Sequence, residues 1–127
     1  MHESKQRLLL DSSGCEIRFD DLSRQLYATD ASIYQIVPLG VAFPKSAQET
    51  ARLLGAASEA GVSIVPRGSG TGLAGGAIGS GLVVDFSKYN RQLGPIDVEQ
   101  RTVRAGAGVV LDQLNAHARQ HGLWYGP

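Results

Sequence analysis

Between Pro66 and Leu82 lie fifteen residues, of which seven are glycine. In order they are Arg67, Gly68, Ser69, Gly70, Thr71, Gly72, Leu73, Ala74, Gly75, Gly76, Ala77, Ile78, Gly79, Ser80 and Gly81. A backbone without Cβ atoms turns sharply and lets a ligand come close. Its successive N–H groups can converge on one concavity, and such a concavity binds anions. Phosphate is the usual anion, and a pyrophosphate bridge needs several donors of this kind. Ser69 and Thr71 can add hydroxyl donors. Arg67, at the entrance, can either contribute a charge-assisted bond or brace the loop. A flexible surface loop is the plainer alternative. Against it stand the apolar strands on both sides and the small apolar residues Leu73, Ala74, Ala77 and Ile78, which predict a loop folded back on the protein.

Two familiar phosphate-binding devices do not fit. The run from Gly70 through Gly72 to Gly75 has the spacing of the Rossmann fingerprint, but that motif opens a helix and is followed by an acidic residue about 20 positions on. Here Gly76, Gly79 and Gly81 follow, which a helix interior does not favour, and then an apolar strand begins. The Gly-Lys-Ser/Thr ending of the nucleotide triphosphatase loop is absent.

Other chemistry-bearing residues are weaker candidates. His117 and His121 stand four apart on one predicted helix face, a spacing that suits a metal. The Glu of the zinc-protease motif is missing, since Ala118 follows the first histidine. Both also suit a helix C-terminus through the dipole. Cys15 has no histidine beside it in sequence and reads as an inert thiol. Asp85, after an apolar strand, reads as a cap on the turn over residues 87–90. Glu99, Arg101 and Arg104 form a solvated hairpin face, and Trp124 and Tyr125 can stack on a ring or pack. No residue here is assigned a catalytic role.

The elements that must position the loop are legible around it. Residues 41–44 predict a short strand. Ser46 and Glu49 then have capping-box spacing, Ala47, Ala51, Leu54 and Ala57 recur at helical spacing, and Gly61 suits a left-handed C-cap. Residues 62–66 predict a second strand, so 41–66 reads as a βαβ unit, the building block of parallel sheets. Residues 82–86 predict a third strand, 96–98 and 102–104 a hairpin, and Val110, Leu111, Leu114 and Ala118 a last helix closed by Gly122. Upstream, residues 5–10 and 20–27 predict short helices. The fold class is α+β, with a small parallel layer and the start of an antiparallel sheet.

From Pro66 to Gly76 the sequence resembles the pyrophosphate loop of the FAD-linked oxidases, the superfamily of vanillyl-alcohol oxidase and p-cresol methylhydroxylase. The resemblance runs in order over about residues 20–127. The segment Tyr27-Ala28-Thr29-Asp30-Ala31-Ser32-Ile33-Tyr34 is similar to the branch that holds D-lactate dehydrogenases and the FAD subunit of glycolate oxidase. The resemblance implies FAD as cofactor, with Pro66, Arg67, Gly68, Ser69, Gly70, Thr71, Gly72, Leu73, Gly75, Gly76 and Pro127 as its binding residues. Where covalent members of the family carry a flavin-linked histidine, Thr71 stands here, which implies noncovalent FAD. It divides the chain into a helical lead-in, 1–35, and the N-terminal portion of an FAD-binding domain of the p-cresol methylhydroxylase type, 36–127, truncated at its C-terminal end. The implied activity is oxidation of a D-2-hydroxy acid such as lactate or glycolate, with the substrate residues lying in parts of the family not represented here. Two rivals stay open: a different FAD-dependent reductase, and a non-enzymatic piece that binds no flavin.

Composition sets the outer bounds. The 127 residues are 43% hydrophobic, 6% aromatic and 19% charged, a globular composition. Twelve basic residues balance twelve acidic ones, which argues against a nucleic-acid partner. The single cysteine excludes an intrachain disulfide and points to a reducing, cytoplasmic setting. No apolar run approaches membrane-span length. A truncated sheet exposes edges, so self-association or a partner chain covering that edge is expected.

Overall fold

The computed structural model describes residues 2–126. Its elements run α1 (Glu3–Asp11), β1 (Glu16–Arg18), α2 (Asp21–Leu26), β2 (Gly40–Phe43), α3 (Ala47–Ala60), β3 (Ile64–Arg67), β4 (Leu82–Asp85), β5 (Leu93–Asp97), β6 (Thr102–Ala105) and α4 (Leu111–Arg119). The main sheet has the order β1-β2-β4-β3, and β5 and β6 form a separate antiparallel hairpin. The predicted βαβ unit is present, but its strands are not neighbours. β4 inserts between β2 and β3 and pairs in parallel with both.

Central placement explains the composition of β2 and β4. Both strands are buried along their whole length. Ala42, Leu82 and Val84 point to one face, where they pack with Leu10 of α1 and Leu53 and Ala57 of α3. Val41, Phe43 and Val83 point to the other, against Tyr27, Val65 and Tyr89. A strand covered on both faces reads as a continuous apolar run rather than an alternating one.

Local chemistry fixes the ends. Ser46 Oγ accepts from the Glu49 N–H, as expected of the cap, but the Glu49 carboxylate accepts from the Lys45 N–H instead of closing the box on Ser46. Gly61 caps α3 in the left-handed conformation. Asp20 caps α2 through the Ser23 N–H.

The lead-in is not only helical. It contributes β1, a three-residue edge strand antiparallel to β2. Alternation is hard to see in so short a strand, and Cys15 just before it belongs to the core rather than to a polar surface stretch. Burial pushes the Cys15 thiol pKa up, which keeps it protonated and inert.

Glu16 anchors this edge. Its carboxylate accepts from Lys88 Nζ at 2.8 Å, Arg18 Nη2 at 3.1 Å and the Tyr89 hydroxyl at 2.8 Å. The Lys88 bond first, then Tyr89, hold its pKa down to about 2 from 4.5. A depressed folded pKa gives stability that is present above the unfolded value and lost as pH falls toward the folded one. Urea unfolding should therefore show Glu16→Gln less stable than the parent at neutral pH, with the two curves converging between pH 4.5 and about 2. A gap that stays constant over that interval would refute the assignment.

Candidate functional site

The glycine loop leaves the C-terminal end of β3 and returns to the start of β4. Pro66 lies exposed within β3, and Arg67 ends that strand. Beyond them, residues 68–76 share one property. Among the described residues, none of their backbone N–H groups donates an intramolecular hydrogen bond. Nine consecutive donors, the five of residues 68–72 first among them, thus face solvent or a ligand.

The glycines divide by what holds them. Gly70 has φ +69°, and a Cβ there would lie 2.6 Å from the Arg67 guanidinium. Gly79 presses on Val65 and Gly81 on the Ser63 carbonyl. These are required by the fold. Gly72 and Gly76 are different: neither has positive φ, and a Cβ on either would meet nothing within 4 Å. The fold leaves those two positions open, as a surface that accepts a close ligand would need. Gly68 is nearly as open, with only the Ala107 carbonyl at 3.8 Å.

Arg67 acts as the brace. Its Nη1 donates to the Thr29 carbonyl at 2.8 Å and to the Ala77 carbonyl at 3.3 Å. The guanidinium also lies 5.0 Å from the Tyr27 ring centroid. Tyr27 in turn donates its hydroxyl to Asp85 Oδ2 at 2.5 Å. Burial, then the Asp85 bond, push the Tyr27 pKa upward. The other Asp85 oxygen accepts from the Ser87 N–H and hydroxyl, so Asp85 is the turn cap expected of it.

The remaining loop residues are placed unevenly. Ile78 is buried, as expected of a loop folded onto the sheet, but Leu73 is 80% exposed. Its backbone reaches out with the arc of free amides, which carries the side chain away from the core. Gly75 takes φ +76° beside the Tyr34 ring. The expected contact at Pro127 lies outside the described residues.

Sequence reasoning did not assign Tyr27, Asp30 and Tyr34 to the site. The Ala31 N–H donates to the Gly70 carbonyl at 2.9 Å, and the Ala77 N–H to Asp30 Oδ2 at 3.3 Å. Asp30 also accepts from the Ser32 N–H, and the Ser32 bonds hold its pKa down. The available signal was Asp30-x-Ser32, an Asx-turn pattern that marks a local loop but not its distant partner.

Away from the loop, His117 Nε2 lies 3.2 Å from the Gly94 carbonyl and ties α4 to the hairpin. His121 meets His117 ring edge to face. Among the described residues no group of three metal-ligating side chains is found. A cavity of about 370 Å³ lies between α4 and the hairpin, lined by Ile96, Val103, Leu114 and Trp124 among others. Trp124 and Tyr125 are both exposed.

A sequence model of the family described as FAD binding domain matches residues 38–127. The chain belongs to this family. The chain is 43% identical over 115 residues to D-2-hydroxyglutarate dehydrogenase of Pseudomonas putida, covering 88% of this chain and 11% of that one. It is 42% identical over 125 residues to glycolate oxidase subunit GlcD of Bacillus subtilis, covering 94% and 26%. Among solved structures, 6-hydroxy-D-nicotine oxidase of Arthrobacter nicotinovorans superposes with a TM-score of 0.70 at 26% identity, over 85% of this chain and 24% of that one. The chain thus spans about a tenth to a quarter of the length of these relatives. The α+β fold and FAD as the family's ligand agree with the sequence reading. Among the described residues no helix is long and apolar enough to cross a membrane.

The residues fit the cofactor. Five free amides and two glycines with open space above them suit a diphosphate bridge, which needs donors and close approach. Gly70→Ala should cost about 1–2 kcal/mol in urea unfolding, because alanine at that φ is strained, with the Arg67 clash added. Gly72→Ala should stay within about 0.5 kcal/mol of the parent. Equal effects at the two positions would show that the division of the glycines is mistaken.

Proposed function

We propose that residues 68–72 hold the diphosphate of FAD on their backbone N–H groups, and that the chain works as the N-terminal part of an FAD-dependent oxidoreductase for a D-2-hydroxy acid. The observation that carries the first half is the run of five unpaired loop amides beside glycines the fold itself does not need. Ser69 and Thr71 offer hydroxyls at the same arc, and Leu73, Gly75 and Gly76 form its outer limb. Arg67 shapes the arc through its Nη1, which two carbonyls engage, and its Nη2 lies beside Gly70, where it adds a charged donor for the diphosphate. Thr71 has no nucleophile suited to a flavin bond, which supports noncovalent binding.

Support for the second half comes from the relatives. Their names, D-2-hydroxyglutarate dehydrogenase, glycolate oxidase subunit and D-lactate dehydrogenase, share a 2-hydroxy acid. FAD, when bound, supplies the two-electron acceptor for such an oxidation. This chain's own part is to bind and orient. Asp85 and Asp30 are both occupied by structural hydrogen bonds, so neither is assigned to proton transfer. Residues 36–127 form the proposed portion of the FAD domain, with 1–35 as its lead-in. The exposed Trp124 and Tyr125 support self-association or a partner chain over that face, and the buried single thiol supports a cytoplasmic setting.

Purified chain incubated with FAD and freed of unbound dye should retain visible flavin absorbance. Gly72→Val should lower FAD affinity about tenfold or more, equivalent to about 1.4 kcal/mol, with an unchanged melting temperature. Undiminished affinity in that variant would sink the loop assignment.

A further inference from the structure

The loop's amides are free, yet the loop is not loose, and what holds it comes from outside the matched domain. We infer that the segment from Tyr27 to Tyr34 is a working part of the cofactor site, a clamp that fixes the phosphate-binding loop with its N–H groups outward. Tyr27, Asp30 and Arg67 are its positioning residues. The inference rests on the diphosphate reading above and adds to it a part that the family match, which begins at residue 38, does not include.

The clamp is itself a closed loop. Thr29 bridges Gln35, and the Ile36 N–H donates to the Ala28 carbonyl at 2.9 Å. Inside it, Asp30 and Ser32 fix the turn through the Ser32 N–H, and the Tyr34 N–H donates to Ser32 Oγ. Ala28 is fully buried at its base.

From this base the clamp grips the glycine loop at the Gly70 carbonyl and at the Ala77 N–H, and holds Arg67 through the Thr29 carbonyl. Ala31 N–H takes the Gly70 carbonyl. Across a trans peptide the carbonyl and the following N–H point in opposite directions. Binding the Gly70 oxygen toward the clamp therefore turns the Thr71 N–H away from it, to the open side. Arg67 does the same at the far limb by taking the Ala77 carbonyl, while Asp30 takes the Ala77 N–H. Tyr34 lies where it limits Gly75. Because the one amide taken is that of Ala77, at the loop's far end, the arc at 68–72 keeps its donors.

The clamp is also wired to the sheet. Arg67 lies over the Tyr27 ring, and the Tyr27 hydroxyl reaches Asp85 at the end of β4. Conformational freedom of a glycine-rich segment is costly to remove on binding. A loop already held in the receiving conformation avoids that cost at the moment of binding.

The test uses the full 127-residue chain, isotope-labelled, with inorganic pyrophosphate and then FAD as probes. Amide shifts of residues 68–72 report binding, and amide relaxation of the same residues without ligand reports order. Asp30→Ala should weaken both ligands about tenfold and raise the mobility of the loop amides, with little change in melting temperature. Asp30→Asn keeps an acceptor oxygen for the Ser32 N–H but sets an NH2 against the Ala77 N–H, so it should restore only part of the affinity. Tyr27→Phe should act in the same direction as Asp30→Ala. If Gly72→Val abolishes binding while Asp30→Ala and Tyr27→Phe change neither affinity nor loop mobility, the clamp is wrong and the diphosphate reading stands. If neither probe moves the loop amides of the parent, the diphosphate reading falls and the clamp's role in it falls with it.

Discussion

Two parallel strands side by side cannot be joined by a tight turn, because the chain must travel back the full length of the strand before it can start again. Most folds make that return with a helix. Here β3 and β4 are parallel neighbours, and the whole return is the glycine loop. The loop has to lie close against the sheet, which is why Gly79 rests on Val65 and Gly81 on Ser63. Val65, which Gly79 meets, packs on the face of Val41, Phe43 and Val83. The segment proposed to hold the diphosphate is thus also packed on the sheet through Gly79 and Gly81. Site and fold share one piece of backbone.

This double duty explains what the sequence made legible and what it hid. The loop announced itself by composition, and the flanking strands by apolar runs, because both signals are local. Ser46 and Gly61 marked the ends of α3 for the same reason. The position of β4 between β2 and β3 was not readable, since strand order depends on how faces are covered and not on any one segment. β1 was hidden by its three-residue length. The role of Arg67 was open in sequence, between phosphate ligand and brace. Only the distances to Thr29 and Ala77, which lie 38 residues before it and 10 after it, reveal the bracing bonds.

The same limit applies to Tyr27 and Asp85, 58 residues apart. Each has a sound local reading, a helix end and a turn cap. Their joint meaning arises because Tyr27, the residue that closes α2, sends its hydroxyl to Asp85 at the end of β4. Polar groups buried in this way carry more information than apolar ones, because each must find a partner. Asp85 finds three donors, two from Ser87 and one from Tyr27.

Pro66 has a consequence at the border of the sheet. Among the described residues β3 has β4 on one side and no strand on the other. The Ser63 and Arg67 carbonyls accept from β4 and the residue after it, so odd-numbered residues of this strand face inward. Ile64 and Pro66 then face outward, and proline has no N–H to offer. An incoming strand would find a single donor along this border. An open sheet margin is a template for fibril growth and strand exchange. One proline at the root of the loop blunts that template.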